Sequence, residues 1–172
     1  MRVFVVGNGP SLKPWQLDHI AAAGVKSYAV NRIHLIYPET KWRPDYWMFM
    51  DFSNSSVPVY KDDIALHSRQ GYPCYVRSDI VAKFIERFVG AHTDSGDVSW
   101  NINAALQNIK VVAQCAHIDV ERHPATEWHL PEICKMGGSV SAAIQHAVME
   151  GYNPIYLLGC DGTLRGNAET HF

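Results

Sequence analysis

The chain has 172 residues, 47% hydrophobic and 19% charged, with a formal net charge of −2. That length suits one domain able to bury about 70% of the surface its unfolded chain exposes. The charge balance leaves no basic footprint for a duplex nucleic acid, and no run of 18 apolar residues occurs that would span a membrane.

Val3–Val6 is a run of β-branched and aromatic residues that enters Gly7 directly. It predicts a buried parallel strand handing the chain to a glycine-rich turn, Gly7-Asn8-Gly9-Pro10-Ser11. Leu12, Trp15, Leu17, Ile20 and Ala21 then form a helical stripe that Gly24 stops. KSYAVNRIH predicts a strand ending at Asn31, and PDYWMFMDFSNSS a third strand ending at Asp51 before a polar turn. Val59–His67 suits a helix, and YPCYVR a fourth strand ending near Arg77. DIVAKFIERFVG carries Ile80, Val81, Phe84, Ile85 and Phe88 on one helical face, with Asp79 as N-cap. From about 92 to 135 the periodicity fades, although IKVVAQCAHIDV has strand character, and the segment reads as an irregular insertion. Ser139 then caps a helix running through Glu150 and stopped by Gly151, and Pro154–Gly159 reads as a buried strand.

The alternation predicts a single α/β domain over 1–172, a three-layer sandwich with a mostly parallel sheet. A polar tail, CDGTLRGNAETHF, follows the last strand directly. An α/β sheet rarely stops just after presenting a ligand loop, so the expectation is a C-terminally truncated unit. The four cysteines (Cys74, Cys115, Cys134, Cys160) form no C-x-x-C pair, and only four apolar residues separate Arg2 from Gly7. Both features fit a cytoplasmic domain without a signal peptide. Nothing in the pattern specifies an oligomeric state.

The turn after the first strand starts like a G-x-G-x-x-G dinucleotide fingerprint, but Leu12 stands where the third glycine belongs. Asn31 stands where an acidic residue would take the ribose hydroxyls. No G-x-x-x-x-G-K-[ST] phosphate loop is present. What remains is a loop of backbone N–H groups beside a helix N-terminus near Ser11, chemistry that holds a phosphate without lysine. The same glycines also suit a plain strand-to-helix turn.

Taken together, the strand ends are more informative. Asn8 follows the first strand, Asn31 the second and Asp51 the third; Gly137, Gly138 and Ser139 open a late helix, and Asp161 follows the last strand. A parallel sheet lines these ends along one edge. Asn and Ser suit hydroxyls and phosphate oxygens, while Asp51 and Asp161 suit ribose hydroxyls, a metal or a base. His117, His123 and His129 recur at six-residue intervals around Pro124, a spacing that does not match zinc pairs on a helix. Trp42, Tyr46 and Trp47 read as core. Cys160 has no histidine locked to it in sequence and is discounted as a nucleophile.

GNGPSL, the strand ending in Asn31, and GGSVSAAIQHAVMEGYNPIYLLGCDG together resemble a bacterial glycosyltransferase superfamily. It contains CMP-sialic-acid-dependent sialyltransferases and motility-accessory (Maf) flagellin glycosyltransferases. Archaeal 6-hydroxymethylpterin diphosphokinase-like proteins share its motifs. Thr170-His171 resembles a Thr-His pair that follows the last strand in the Maf-like group. The resemblance covers about a third of the chain. It implies a Rossmann-like, nucleotide-binding domain that takes a CMP-sugar donor and modifies a surface glycan or glycoprotein. Asn8 and Gly9 would approach the phosphate, Asn31 and Ser139 would hold the nucleotide or donor sugar, and Gly138 would allow close backbone approach; Gly7, Pro10, Ser11, Asp51 and Gly137 are the further nucleotide-binding candidates. His171 and Asp161 would be the catalytic candidates. The sialyltransferases place an aromatic residue after the strand-end aspartate and a histidine in a late lid; here Gly162-Thr163 follows Asp161.

Transfer from a CMP-sugar needs a base on the acceptor hydroxyl and stabilisation of the departing phosphate; in the sialyltransferases it is metal-independent, so the resemblance implies no required cofactor. A pterin-type pyrophosphokinase would instead use ATP or GTP with Mg²⁺ held by carboxylates, for which Asp51 and Asp161 are the candidates. A domain that binds nucleotide without catalysis is the third expectation.

Overall fold

A computed structural model describes residues 1–50, 57–83, 85, 108–114, 132–133 and 138–161. Short β-branched and aromatic runs form the strands: β1 (Val3–Val6), β2 (Ser27–Val30), β3 (Tyr46–Phe49), β4 (Cys74–Arg77), β5 (Ile109–Gln114), β6 (Glu132–Ile133) and β7 (Ile155–Leu158). They hydrogen-bond in the order β6-β5-β4-β3-β2-β1-β7, with every pairing parallel. The chain therefore steps outward from β1 to β6 and returns to pair β7 on the other side of β1. That reversal, between β1 and β7, is where an open α/β sheet forms a crevice at its strand C-termini.

The pleat divides the strand residues between two cores. On one face Val6, Ala29, Trp47, Phe49 and Val76 pack with Leu17 and Ile20 of α1 (Pro14–Ala22) and Ile64 and Ala65 of α2 (Val57–Ser68). On the other, Val3, Val5, Tyr28, Val30 and Met48 pack with Ala142, Ala143 and Ala147 of α3 (Ser139–Met149). Alanines on α3 let the helix lie close over large strand side chains, so volume is conserved across the interface. Each buried Leu, Ile or Val contributes roughly 1.5–3 kcal/mol. The three-layer α/β architecture with a parallel sheet is thus present.

Several local expectations change. Trp15 is 61% exposed. It lies about 200° around α1 from buried Leu17, so it cannot share that stripe. A 3₁₀ segment over Ile33–Glu39, containing Pro38, follows β2 directly. Residues 78–83 are already helical straight after β4, which puts Asp79 inside the helix rather than at its cap. There its carboxylate accepts from Arg77 Nε at 2.6 Å and from a terminal Arg77 nitrogen at 2.9 Å. β5 and β6 fall within 92–135 and extend the sheet beyond β4. β7 is not a buried strand: Tyr156 is 44% and Leu157 53% exposed. The cause is its place at the sheet edge, with β1 as its one partner strand among the described residues.

Candidate functional site

The turns that leave β1 and β7 are packed backbone against backbone. The Gly7 N–H donates to Leu158 O at 2.8 Å and the Gly9 N–H to Gly159 O at 2.7 Å. A Cβ added at Gly7 would lie 2.5 Å from Gly159 O, and one at Gly9 would lie 2.7 Å from both Gly159 O and Asp161 Cγ. Both positions thus exclude a side chain because another turn of the same chain occupies the space. Gly159 adopts φ +63, and a Cβ there would meet Gly7 O at 2.9 Å. The three glycines interlock.

Ser11 closes this seam. Its N–H donates to Asp161 Oδ2 at 2.9 Å, and its hydroxyl donates to Asp161 Oδ1. These two donors hold the exposed Asp161 carboxyl below its ordinary range. The remaining loop amides are also engaged: Leu12 N–H reaches Gly9 O, and Lys13 N–H reaches Gln16 Oε1 at 2.8 Å. Pro10 has no N–H. Asn8 is left as the loop amide without an acceptor among the described residues. The Gly-Asn-Gly-Pro-Ser turn is therefore already filled by the chain's own carboxylate at Ser11. With Ser11 donating to each oxygen, Asp161 keeps outward lone pairs for hydroxyl donors.

The Asn8 side chain joins the β1 turn to the β2 turn. Oriented to satisfy both ends, its amide nitrogen donates to Val30 O at 3.0 Å and its oxygen accepts the Arg32 N–H at 3.0 Å. Asn31 lies between those two contacts at φ +50, a left-handed conformation that Asn tolerates better than most residues. Its carbonyl accepts from Trp47 Nε1 at 2.8 Å, and its N–H donates to Met48 O at 3.3 Å.

Ser139 is not the N-cap of α3. Gly138 occupies that position, and buried Ser139 is the first helical residue. The reason is that its Oγ faces β3, where it accepts the Met50 N–H at 2.9 Å. This contact ties the helix N-terminus to the end of β3. Asn8, Asn31, Ser139 and Asp161 thus stand at the C-terminal edge of the sheet. Asp51, Gly137 and His171 lie outside the described residues.

A charged cluster beside this edge was not singled out in sequence. Arg32 Nε lies 3.2 Å from Asp63 Oδ2, and His34 Nε2 lies 3.2 Å from Asp63 Oδ1. Burial raises the Asp63 carboxyl, opposed by His34 and Arg32, and burial lowers His34. Beneath it, fully buried His67 stacks on Trp47 at 4.2 Å between ring centroids. Its Nδ1 is 2.6 Å from the Tyr72 hydroxyl. Burial, with His34 adding to it, depresses the His67 pKa to about 3. The available signal was R-x-H directly after a strand, together with an Asp–His pair at i, i+4 on α2.

Other candidates resolve as packing. Trp42 and Trp47 are buried, and Tyr46 stacks on Tyr28 at 4.6 Å. Burial raises the Cys160 thiol, whose Sγ lies 3.5 Å from Leu158 O and 3.7 Å from Val5 O, so it is held as a thiol rather than a nucleophilic thiolate. Among the described residues no group of three or more His, Cys, Asp or Glu gathers as a metal-ligand set. No helix among them is long and apolar enough to cross a membrane. Compared with known proteins, the chain matches no family model, no curated protein and no solved structure.

Proposed function

We propose that this domain binds a CMP-activated acidic sugar at the β1–β7 reversal and transfers the sugar to a glycan or glycoprotein hydroxyl. The observation carrying the reading is Asp161, exposed at the strand end and fixed through both oxygens by Ser11. A carboxylate in that state suits neutral hydroxyls such as the ribose diol. It also disfavours stacking several phosphates on the same loop, because its charge already occupies the Ser11 donors. One phosphate, met by the Asn8 N–H and the dipole of the α3 N-terminus at Gly138 and Ser139, fits the supply of donors.

In this mechanism the acceptor hydroxyl attacks the anomeric carbon, and the bond from that carbon to the phosphate oxygen breaks. Its electron pair leaves on CMP, and the hydroxyl proton passes to a base, for which His171 is the nearest sequence candidate. Asn31, Asp51 and Gly137 complete the proposed donor pocket, and Gly7, Gly9 and Pro10 shape its floor. The reading requires no metal.

The test is calorimetric titration of the full chain with CMP, CDP, ATP and GTP, each with and without Mg²⁺. Metal-independent CMP binding that Asn31→Ala weakens supports the proposal. Preference for ATP or GTP with Mg²⁺ replaces it with pyrophosphoryl transfer, and binding of none removes the nucleotide reading.

A further inference from the structure

The Arg32 cluster has a geometry that a simple surface ion pair does not need. Asp63 sits on the second turn of α2 with its side chain 10% exposed. One of its oxygens faces Arg32 Nε and the other faces His34 Nε2, both at 3.2 Å. The carboxylate therefore faces Arg32 from one oxygen and His34 from the other, and at Arg32 Nε the approach is an ion pair outside hydrogen-bond geometry. Arg32 Nε is inaccessible to solvent, yet the side chain as a whole is 41% exposed. Among the described residues no group accepts from its two terminal nitrogens. An arginine whose Nε faces a carboxylate keeps its outer fork for a bidentate oxyanion.

The backbone places this residue beside the site. Arg32 is two residues beyond β2, at the C-terminal edge of the sheet, and its N–H donates to Asn8 Oδ1 at 3.0 Å. Asn8 belongs to the turn whose amide is proposed to meet phosphate. A purely structural ion pair would join α2 to the β2 turn equally well with its guanidinium turned inward. Here the inner nitrogen faces Asp63, and no described group accepts from the outer ones.

We infer that Arg32 is a ligand-binding residue for an oxyanion, and that Asp63, with His34 as its second partner, is the positioning residue that holds it. This rests on the glycosyltransferase reading and deepens it, because the donor's phosphate and an acidic sugar's carboxylate offer the same chemistry.

Calorimetry on the full chain with CMP, cytidine and N-acetylneuraminate separates the two sources. Arg32→Gln is expected to weaken one anionic ligand about ten- to hundredfold, the scale of a charged hydrogen bond, and to leave cytidine unaffected. Loss confined to CMP assigns the phosphate; loss confined to N-acetylneuraminate assigns the carboxylate. Arg32→Lys should recover only part of the affinity, since lysine lacks the fork. Asp63→Asn should weaken the same ligand in the wild-type background and add nothing on top of Arg32→Gln, even where both backgrounds lose thermal stability. Unchanged affinity in Arg32→Gln overturns the inference, as does an Asp63→Asn effect that persists without Arg32. If Asp63→Asn does not fold, the Arg32 variants decide by themselves. If wild type binds no nucleotide, the preceding proposal fails separately, and inorganic pyrophosphate becomes the probe. Binding lost in Arg32→Gln then sustains the oxyanion site, and binding retained or absent from wild type overturns it.

Discussion

Acidification offers a direct reading of the buried ring at His67. In the folded chain its pKa is near 3, depressed first by burial and then by His34, whereas in the unfolded chain it returns to about 6.5. Below 6.5 the unfolded state takes up a proton that the folded state refuses, so stability is full above that pH and falls as pH falls. The loss stops growing near pH 3, where the folded ring also protonates. Between pH 8 and pH 5 the linkage amounts to about 2 kcal/mol from this one residue, at about 1.4 kcal/mol for each pH unit below 6.5. His67→Phe keeps a ring over Trp47 and leaves the Tyr72 hydroxyl its 3.1 Å contact with Tyr37. Urea unfolding at pH 8, 6.5 and 5 should therefore show the variant losing about 2 kcal/mol less than wild type. His34 and His146, both also lowered by burial, contribute to both curves and largely cancel in the difference. A stability difference that stays constant from pH 8 to pH 5 would refute the assignment of a neutral, buried His67.

Gly7→Ala drives a Cβ to 2.5 Å from Gly159 O, and since backbone cannot step aside cheaply, it should cost about 1–3 kcal/mol in urea unfolding and abolish CMP binding. Ser139→Ala leaves the buried Met50 N–H without its acceptor and should cost about 1–3 kcal/mol, with Ser139→Thr retaining more of the stability. Asn8→Ala removes both contacts between the β1 and β2 turns; it should lower the thermal midpoint and weaken CMP more than Asn8→Asp weakens cytidine. Asp161→Asn, at an exposed position, should leave the urea midpoint nearly unchanged while reducing affinity for cytidine, because its carboxylate is exposed and, in the proposed complex, takes the ribose hydroxyls.

Legibility in the sequence followed the range of the interaction. β1, β2, α1 and α3 were readable because their apolar patterns are local and end at Gly7, Asn31, Gly24 and Gly151. Strand-end residues were readable because parallel sheets collect them at one edge. What they touch there was not. Gly7 and Gly9 looked like ligand-approach glycines, yet the atoms that exclude a Cβ belong to Gly159 and Asp161, about 150 residues later in the chain. Ser139 carries a cap residue's chemistry and spends it on β3. The exposure of β7 depends on having one neighbour strand instead of two, which no local pattern encodes. Arg32 and His34 follow β2 while Asp63 lies on α2, so only the packing of α2 over the β2 turn makes them a cluster.

The interlock of Gly7, Gly9 and Gly159 also sets the order in which this protein can be completed. β1 is synthesised long before β7, yet its pairing with β7 joins Val3 to Ile155, and Ser11 meets Asp161 across 150 positions of chain. Until that late segment is synthesised, β1 has a strand neighbour on one side only and the Gly7–Ser11 turn lacks the partner that shapes it. Contacts of such sequence separation are slow to form, because loop closure precedes the energy they return. The β1–β7 edge is therefore completed after the β2–β4 core, and a nascent chain carries that core before the Gly7–Ser11 turn has its partner.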